Sequence, residues 1–288
     1  MAGGLLRSAR PRHWARNLLV FAAPAAAGRL GDSAVLLDTT LAFVAFSLVS
    51  SGVYLFNDIF DADADLADPV KSERPLAAGI VPANLAALTA FALAVAGLIV
   101  AFAVRLDFAA VVGLYLLLST AYSLRLKSIP VLDIGVVASG FVIRAVAGGV
   151  AIDVPISRWF LIVVTFASLF VVAGKRHGDF RRLGEGRAAA RSTLASYSDG
   201  YLHSIWTMAS AVTITAYCLW AFEQSAKTAF PWYELTIIPF VLLLLRYGLV
   251  LEGGRATGPE DILFKDRPMQ LLTASWVLTF LAAVYLAG

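Results

Sequence analysis

The sequence predicts an all-helical integral membrane protein, and three observations carry that reading. Apolar residues fill 59% of the 288 positions and mean hydropathy is +0.78, beyond the roughly 45–50% apolar usage of soluble domains. The apolar residues fall into runs that approach the length a bilayer requires, about 20 residues per helix. Basic residues gather at alternate ends of those runs. Lipid is therefore the expected solvent for most of the chain, and a helix satisfies its own backbone hydrogen bonds there.

Nine candidate spans lie near 15–30, 37–57, 84–104, 108–124, 131–151, 159–174, 204–222, 235–251 and 269–287. The first follows Arg7, Arg10, Arg12 and Arg16 and imitates a secretory signal. It reads as a retained span, because equally apolar segments follow and Trp14 suits an interfacial anchor. An odd number of spans puts the termini on opposite sides. With the N-terminus cytoplasmic, only Arg29, Arg105, Arg158 and Lys227 of the 23 Lys and Arg fall outside and Arg144 falls within a span, an asymmetry that sets the orientation. The inside connections after spans two, six and eight are the long, charged ones, so function is expected at the cytoplasmic face. The longest polar stretch, 175–203, is too short for a core of its own, and residues 1–288 read as one domain. The net charge of +3 is explained by membrane orientation rather than nucleic-acid binding. Cys218, the single cysteine, excludes an internal disulfide and a cysteine-clustered metal site.

The segment "NDIFDADADLADPVKSERPLAAG", 57–79, carries Asp58, Asp61, Asp63, Asp65 and Asp68 directly after the second span. If that helix continues, Asp58, Asp61 and Asp65 share one face and Asp63 points away. Three like charges on a stripe need solvent or a cation. Hard oxygen donors of this kind suit Mg²⁺ held between carboxylates and a phosphate-bearing substrate, with Asn57 adding a neutral oxygen; a solvated acidic loop is the alternative. Basic neighbours favour the first reading: Lys71 and Arg74, then Tyr122, Arg125 and Lys127, then Lys175, Arg176, His177, Asp179, Arg181 and Arg182 in "GKRHGDFRR". Acid and base at one membrane edge imply a polyanion bridged by metal. Lys127, Arg181 and Arg182 serve equally well as orientation charges. His177, a lone histidine in a basic loop, is expected to face solvent. Arg144 within a span requires a partner or a polar cavity, and Asp133 and Asp153 at opposite ends of that span are not obvious partners. Arg246 can snorkel, and "PEDILFKDRP", with Glu260, Asp261, Asp266 and Arg267, either covers the site or is solvated.

Asn57-Asp58-x-x-Asp61-x-x-x-Asp65 resembles the NDxxDxxxD motif of the UbiA-type prenyltransferase superfamily, intramembrane enzymes with nine transmembrane helices around a central cavity. In that superfamily the motif binds a prenyl diphosphate through Mg²⁺. Members that prenylate aromatic acceptors usually carry a second motif, DxxxD, after the sixth helix; here Lys175-Arg176-His177-Gly178-Asp179 stands there. That departure, with "RPRHWARN" (10–17), "RPLAAG" (74–79), "IRAVAGGVA" (143–151) and "SLFVVAGKR" (168–176), is similar to the superfamily branch that moves 5-phosphoribose from phosphoribosyl diphosphate (PRPP) to decaprenyl phosphate for mycobacterial-type cell-wall arabinan.

The resemblance implies Mg²⁺ on Asp58, Asp61, Asp65 and Asn57, with Asp58, Asp61 and Lys175 at the chemistry. It implies Arg16, Asn17, Asn57, Lys71, Arg74, Tyr122, Lys127, Arg176 and Asp179 as substrate contacts. It further implies a bacterial inner membrane with the site on its cytoplasmic side, and leaves a homo-oligomer open. PRPP carries a diphosphate at C1 and a phosphate at C5, so its site needs metal-binding carboxylates at one end and cations at the other. The nearest rival is a prenyltransferase acting on an aromatic or quinone-precursor acceptor. A transporter would place coupling charges near the bilayer midplane, where only Arg144 stands, and a noncatalytic scaffold leaves the aspartate stripe unexplained.

Overall fold

The computed structural model describes residues 1–66, 71–183, 192–228, 230–252 and 259–286, and all regular structure among them is helical. Chain order begins with α1 (Ala2–Ala9), a 3-10 segment (Pro11–Phe21), α2 (Ala22–Ala26), α3 (Ser33–Phe60), α4 (Ala62–Leu66), α5 (Ala83–Val104), α6 (Leu106–Leu124) and α7 (Leu132–Ala151). It continues with α8 (Arg158–Leu183), α9 (Ser192–Ala195), α10 (Asp199–Ser225), α11 (Trp232–Leu235), α12 (Ile237–Glu252), α13 (Pro259–Lys265) and α14 (Arg267–Leu286). Among the described residues eight stretches are long and apolar enough to cross a membrane: α3, α5, α6, α7, α8, α10, α11 with α12, and α14. Large side chains such as Leu88, Phe91, Ile99 and Phe102 on α5 face outward, as lipid-facing positions do.

The span expected over 15–30 differs. Pro11–Phe21 winds as a 3-10 helix of 11 residues before α2, longer than such helices usually run. Its inner side, at Asn17 and Val20, is buried in protein, where irregular backbone is tolerated. Gly148 of α7 lies so close to the Val20 carbonyl that a Cβ there would overlap it, and Asn17, wholly buried, hydrogen-bonds out of the segment. The sixth span also differs: α8 stays helical to Leu183 and carries "GKRHGDFRR" on its last turns rather than in a loop.

Lipid tails are as apolar as leucine, so close packing rather than transfer from water holds such helices together. Helix α3 packs along α5 through two glycines. A Cβ on Gly52 would sit 2.7 Å from the Ala90 carbonyl oxygen, and one on Gly97 would sit 2.9 Å from that of Ala45. One core, around Phe46, Phe108 and Tyr115, joins the 3-10 segment, α3, α6 and α7. A second, around Phe170, Tyr217, Phe240 and Tyr247, joins α8, α10 and α12. Ile134, Val172, Leu194 and Leu202 tie the two halves through α7, α8, α9 and α10.

Candidate active site at one end of the bundle

Helix α3 ends at Phe60 with Asp61 as its C-cap, and α4 begins one residue later. The Asp65 N–H donates to the Asp61 carbonyl at 2.7 Å, so the chain stays nearly helical across the break. Asp58 and Asp65 are consequently brought together, 2% and 3% exposed, while Asp63 faces solvent. Asp68 lies outside the described residues.

Asp58, Asp65 and Asp61 each meet a cation from elsewhere in the chain. Arg10 Nη2 donates to Asp58 Oδ1 at 2.5 Å. Arg74 Nη1 donates to Asp65 Oδ2 at 2.5 Å and reaches Asp58 Oδ1 at 3.5 Å. Lys127, on the 3-10 turn Leu126–Ser128 after α6, donates to Asp61, which also accepts from Asn57 Nδ2 at 2.8 Å. A cavity of about 210 Å³ opens beside this group, lined by Arg7, Arg10, Asp58, Glu73 and Arg74 among others. Half-buried Lys71 lies on the 3-10 turn Lys71–Glu73 just before Arg74.

A second carboxylate cluster stands nearby. Asp133, wholly buried at the start of α7, accepts from Tyr197 Oη at 2.5 Å, Thr193 Oγ1 at 3.1 Å and Arg176 Nε at 3.2 Å. Arg176 Nη2 reaches Tyr122 Oη at 3.5 Å. Val131, held at φ 70°, donates its N–H to Tyr197 Oη at 2.6 Å. Burial, then the bond to Asp133, push the Tyr197 phenol up to about 12, so it remains a donor at neutral pH.

Asn17 and Arg144 form a third group. Arg144 donates from Nε to Asn17 Oδ1 at 2.7 Å, from Nη1 to the Gly140 carbonyl at 2.6 Å and from Nη2 to Tyr115 Oη at 2.8 Å. Asn17 Nδ2 donates in turn to Ser47 Oγ at 3.1 Å. Arg144 is thus held by neutral oxygens, which explains its tolerance within a span, and Asn17 braces the 3-10 segment. Arg16 lies over the Phe141 ring at 6.0 Å. Lys175 is half-buried on α8, and Asp179 accepts from Arg182 at 3.0 Å.

His177 is a correction: it is 3% exposed, with Nε2 3.0 Å from Asp199 Oδ1 and its ring beside His203 and Trp206. The continued helix turns it inward against α10. Arg246 does not merely snorkel but makes a two-pronged pair with Asp266, at 3.1 and 2.7 Å. The side chains of Glu260 and Asp261 lie outside the described residues. Sequence reasoning missed Arg10 as the partner of Asp58, and Asp133, Thr193 and Tyr197 as a cluster; contacts this distant in sequence leave no local pattern.

Residues 18–260 match the model of the UbiA prenyltransferase family. The chain belongs to the UbiA prenyltransferase family. Its similarity extends to proteins named decaprenyl-phosphate phosphoribosyltransferase. The one from Mycolicibacterium smegmatis is 43% identical over 99% of this chain and 93% of its own length. The one from Mycobacterium tuberculosis is 42% identical over 99% and 95%. Among solved structures, a UbiA homologue from Archaeoglobus fulgidus bound to GPP and Mg²⁺ superposes with TM-score 0.73 at 19% identity, covering 98% of this chain and 99% of that one, which establishes the shared UbiA fold.

The donor chemistry of this UbiA chain fits a magnesium ion that completes its shell with substrate. Asp58, Asp61 and Asp65 supply carboxylate oxygens and Asn57 an amide oxygen. Among the described residues no three His, Cys, Asp or Glu gather closely enough to cage a metal alone. Magnesium is ordinarily held by one or two carboxylates together with phosphate and water.

Proposed function

We propose that this chain transfers 5-phosphoribose from PRPP to decaprenyl or a similar polyprenyl phosphate and releases diphosphate. The observation that carries the reading is the charge arrangement at one end of the bundle, where motif carboxylates sit among Arg10, Arg74 and Lys127 with Lys175 on α8 nearby in sequence to Arg176. Either donor's diphosphate calls for metal-binding carboxylates and cations; PRPP adds a phosphate at C5, and the basic run Lys175-Arg176-His177-Gly178-Asp179, standing where aromatic-prenylating members carry DxxxD, favours that second anion. Relatives named for this reaction, similar over nearly the whole chain, support it.

Asp58, Asp61, Asp65 and Asn57 would hold Mg²⁺ on the diphosphate. When bound, that ion neutralises charge developing on the leaving group. Lys71, Arg74, Lys127 and Lys175 supply donors for the phosphate oxygens, with Arg16, Tyr122 and Asp179 at the rim, while Arg176, buried and paired with Asp133, holds α8 against α7. The ribose C1–O bond to the diphosphate breaks, and a lipid phosphate oxygen, already ionised and needing no general base, forms the new bond at C1 from the opposite face. The α configuration thereby becomes β. Surrounding apolar helices exclude water that would otherwise hydrolyse the donor, and the polyprenyl tail stays in lipid. The reading includes nine membrane crossings, the 3-10 segment with α2 making the first and Arg12 and Arg16 standing at its cytoplasmic end. It also includes a cytoplasmic-facing site in a bacterial inner membrane and PRPP as donor.

The test supplies purified protein with PRPP and decaprenyl phosphate, and separately with a prenyl diphosphate and an aromatic acid. Diphosphate release only in the first mixture supports the reading; turnover only in the second returns the chain to aromatic prenylation.

A further inference from the structure

Asp58 is buried, beside another carboxylate, and bound most closely by Arg10. Arg10 caps the C-terminus of α1 in a left-handed conformation, φ 53°, ψ 59°, with its N–H donating to the Arg7 carbonyl, which ends the helix and turns the chain into the 3-10 segment. Its guanidinium lies over the Tyr54 ring, 5.1 Å from the centroid. The two partners differ in freedom. Asp58 is 2% exposed, whereas the Arg10 side chain is 23% exposed and borders the 210 Å³ cavity. Arg10 has room to turn; Asp58 does not.

A buried carboxylate cannot stand unpaired without large cost, so it needs a cation before substrate arrives. A metal ion on the same oxygen would repel that cation. Arginine's fork suits it for the next role as well, because it can take two phosphate oxygens in parallel.

We propose that Arg10 is an exchangeable counter-cation: it neutralises Asp58 in the resting protein and turns onto a phosphate oxygen when a metal–diphosphate takes its place. This rests on the site reading given above. Metal alone must displace Arg10 and leave it without an anion, whereas metal arriving with diphosphate supplies one. Metal and diphosphate are thereby coupled in binding through one side chain. Uncomplexed metal is discouraged from filling the site.

The experiment titrates the full-length protein in nanodiscs with Mn²⁺, read by the free-ion EPR signal, and with preformed manganese–diphosphate complex. Wild type is expected to prefer the complex by at least about tenfold. Arg10→Gln should tighten Mn²⁺ alone by about three- to tenfold and weaken the complex by about tenfold, removing the preference. Arg10→Lys, which keeps a cation beside Asp58, should retain part of it. A glutamine variant with the wild-type preference, or one that weakens both titrants equally, overturns the exchange; so does a lysine variant indistinguishable from glutamine. Wild type binding neither titrant would instead overturn the metal–diphosphate reading of the site itself.

Discussion

Two carboxylate clusters stand at the same end of this bundle and are built differently. Asp133 is wholly buried, and Arg176 from α8, Thr193 from α9 and Tyr197 from the α9–α10 connection all donate to it. Its arginine is only 8% exposed. Asp58 and Asp61 are matched instead with Arg10, Arg74 and Lys127, whose side chains are 23%, 28% and 27% exposed. The first cluster is saturated and closes a junction between helices. The second is neutralised by cations that reach solvent, so its partners can leave when a better ligand arrives. The same residue types thus serve as a structural brace in one place and as an exchangeable binding site in the other, and burial of the cation marks which is which.

The sharpest way to break this contrast is to remove one charge from each cluster. Asp58→Asn or Asp61→Asn should lower kcat/KM by about 10²–10³-fold, measured as label moving from PRPP into lipid, with thermal unfolding unchanged. Asp133→Asn should act mainly on the fold: losing one partner of a buried ion pair costs about 3 kcal/mol, read as a lower unfolding midpoint with turnover per folded molecule retained. Lys127→Gln should be milder, about tenfold on transfer, the scale of one charge-assisted hydrogen bond. Asp63→Asn should stay within about twofold because its charge is solvated. A loss at Asp63 equal to that at Asp61 would dissolve the distinction drawn from the helical face.

Much of the fold was legible because hydropathy alone locates α3, α5, α6, α7, α10, α12 and α14 to within a few residues. The first span was not, since "NLLVFAAPAAAG" is apolar whether its backbone winds as an α or a 3-10 helix; the choice depends on Gly148 and Asn17 meeting distant groups. The polar end of α8 was not legible either. Its lysine and arginines read as a loop until α10 covers His177 and α7 brings Asp133 to Arg176. In the site, period and charge identified Asp58, Asp61, Asp65, Arg74 and Lys127 as candidates; the fold pairs Arg74 with Asp58 and Asp65, and Lys127 with Asp61. Arg10 was hidden in an N-terminal basic cluster that orientation in the membrane already accounted for, and its position beside Asp58 depends on contact across 48 positions of sequence.

The most direct measurement compares wild type, Asp61→Asn and Asp133→Asn in nanodiscs with radiolabelled PRPP, decaprenyl phosphate and Mg²⁺, scoring labelled lipid per folded molecule with and without EDTA. The expected result is labelled lipid from wild type that EDTA abolishes, almost none from a normally folded Asp61→Asn, and substantial transfer from the folded fraction of Asp133→Asn. Near-normal transfer by Asp61→Asn, or transfer by wild type that persists in EDTA, would contradict the assignment of the exchangeable carboxylates to metal-assisted phosphoribosyl transfer.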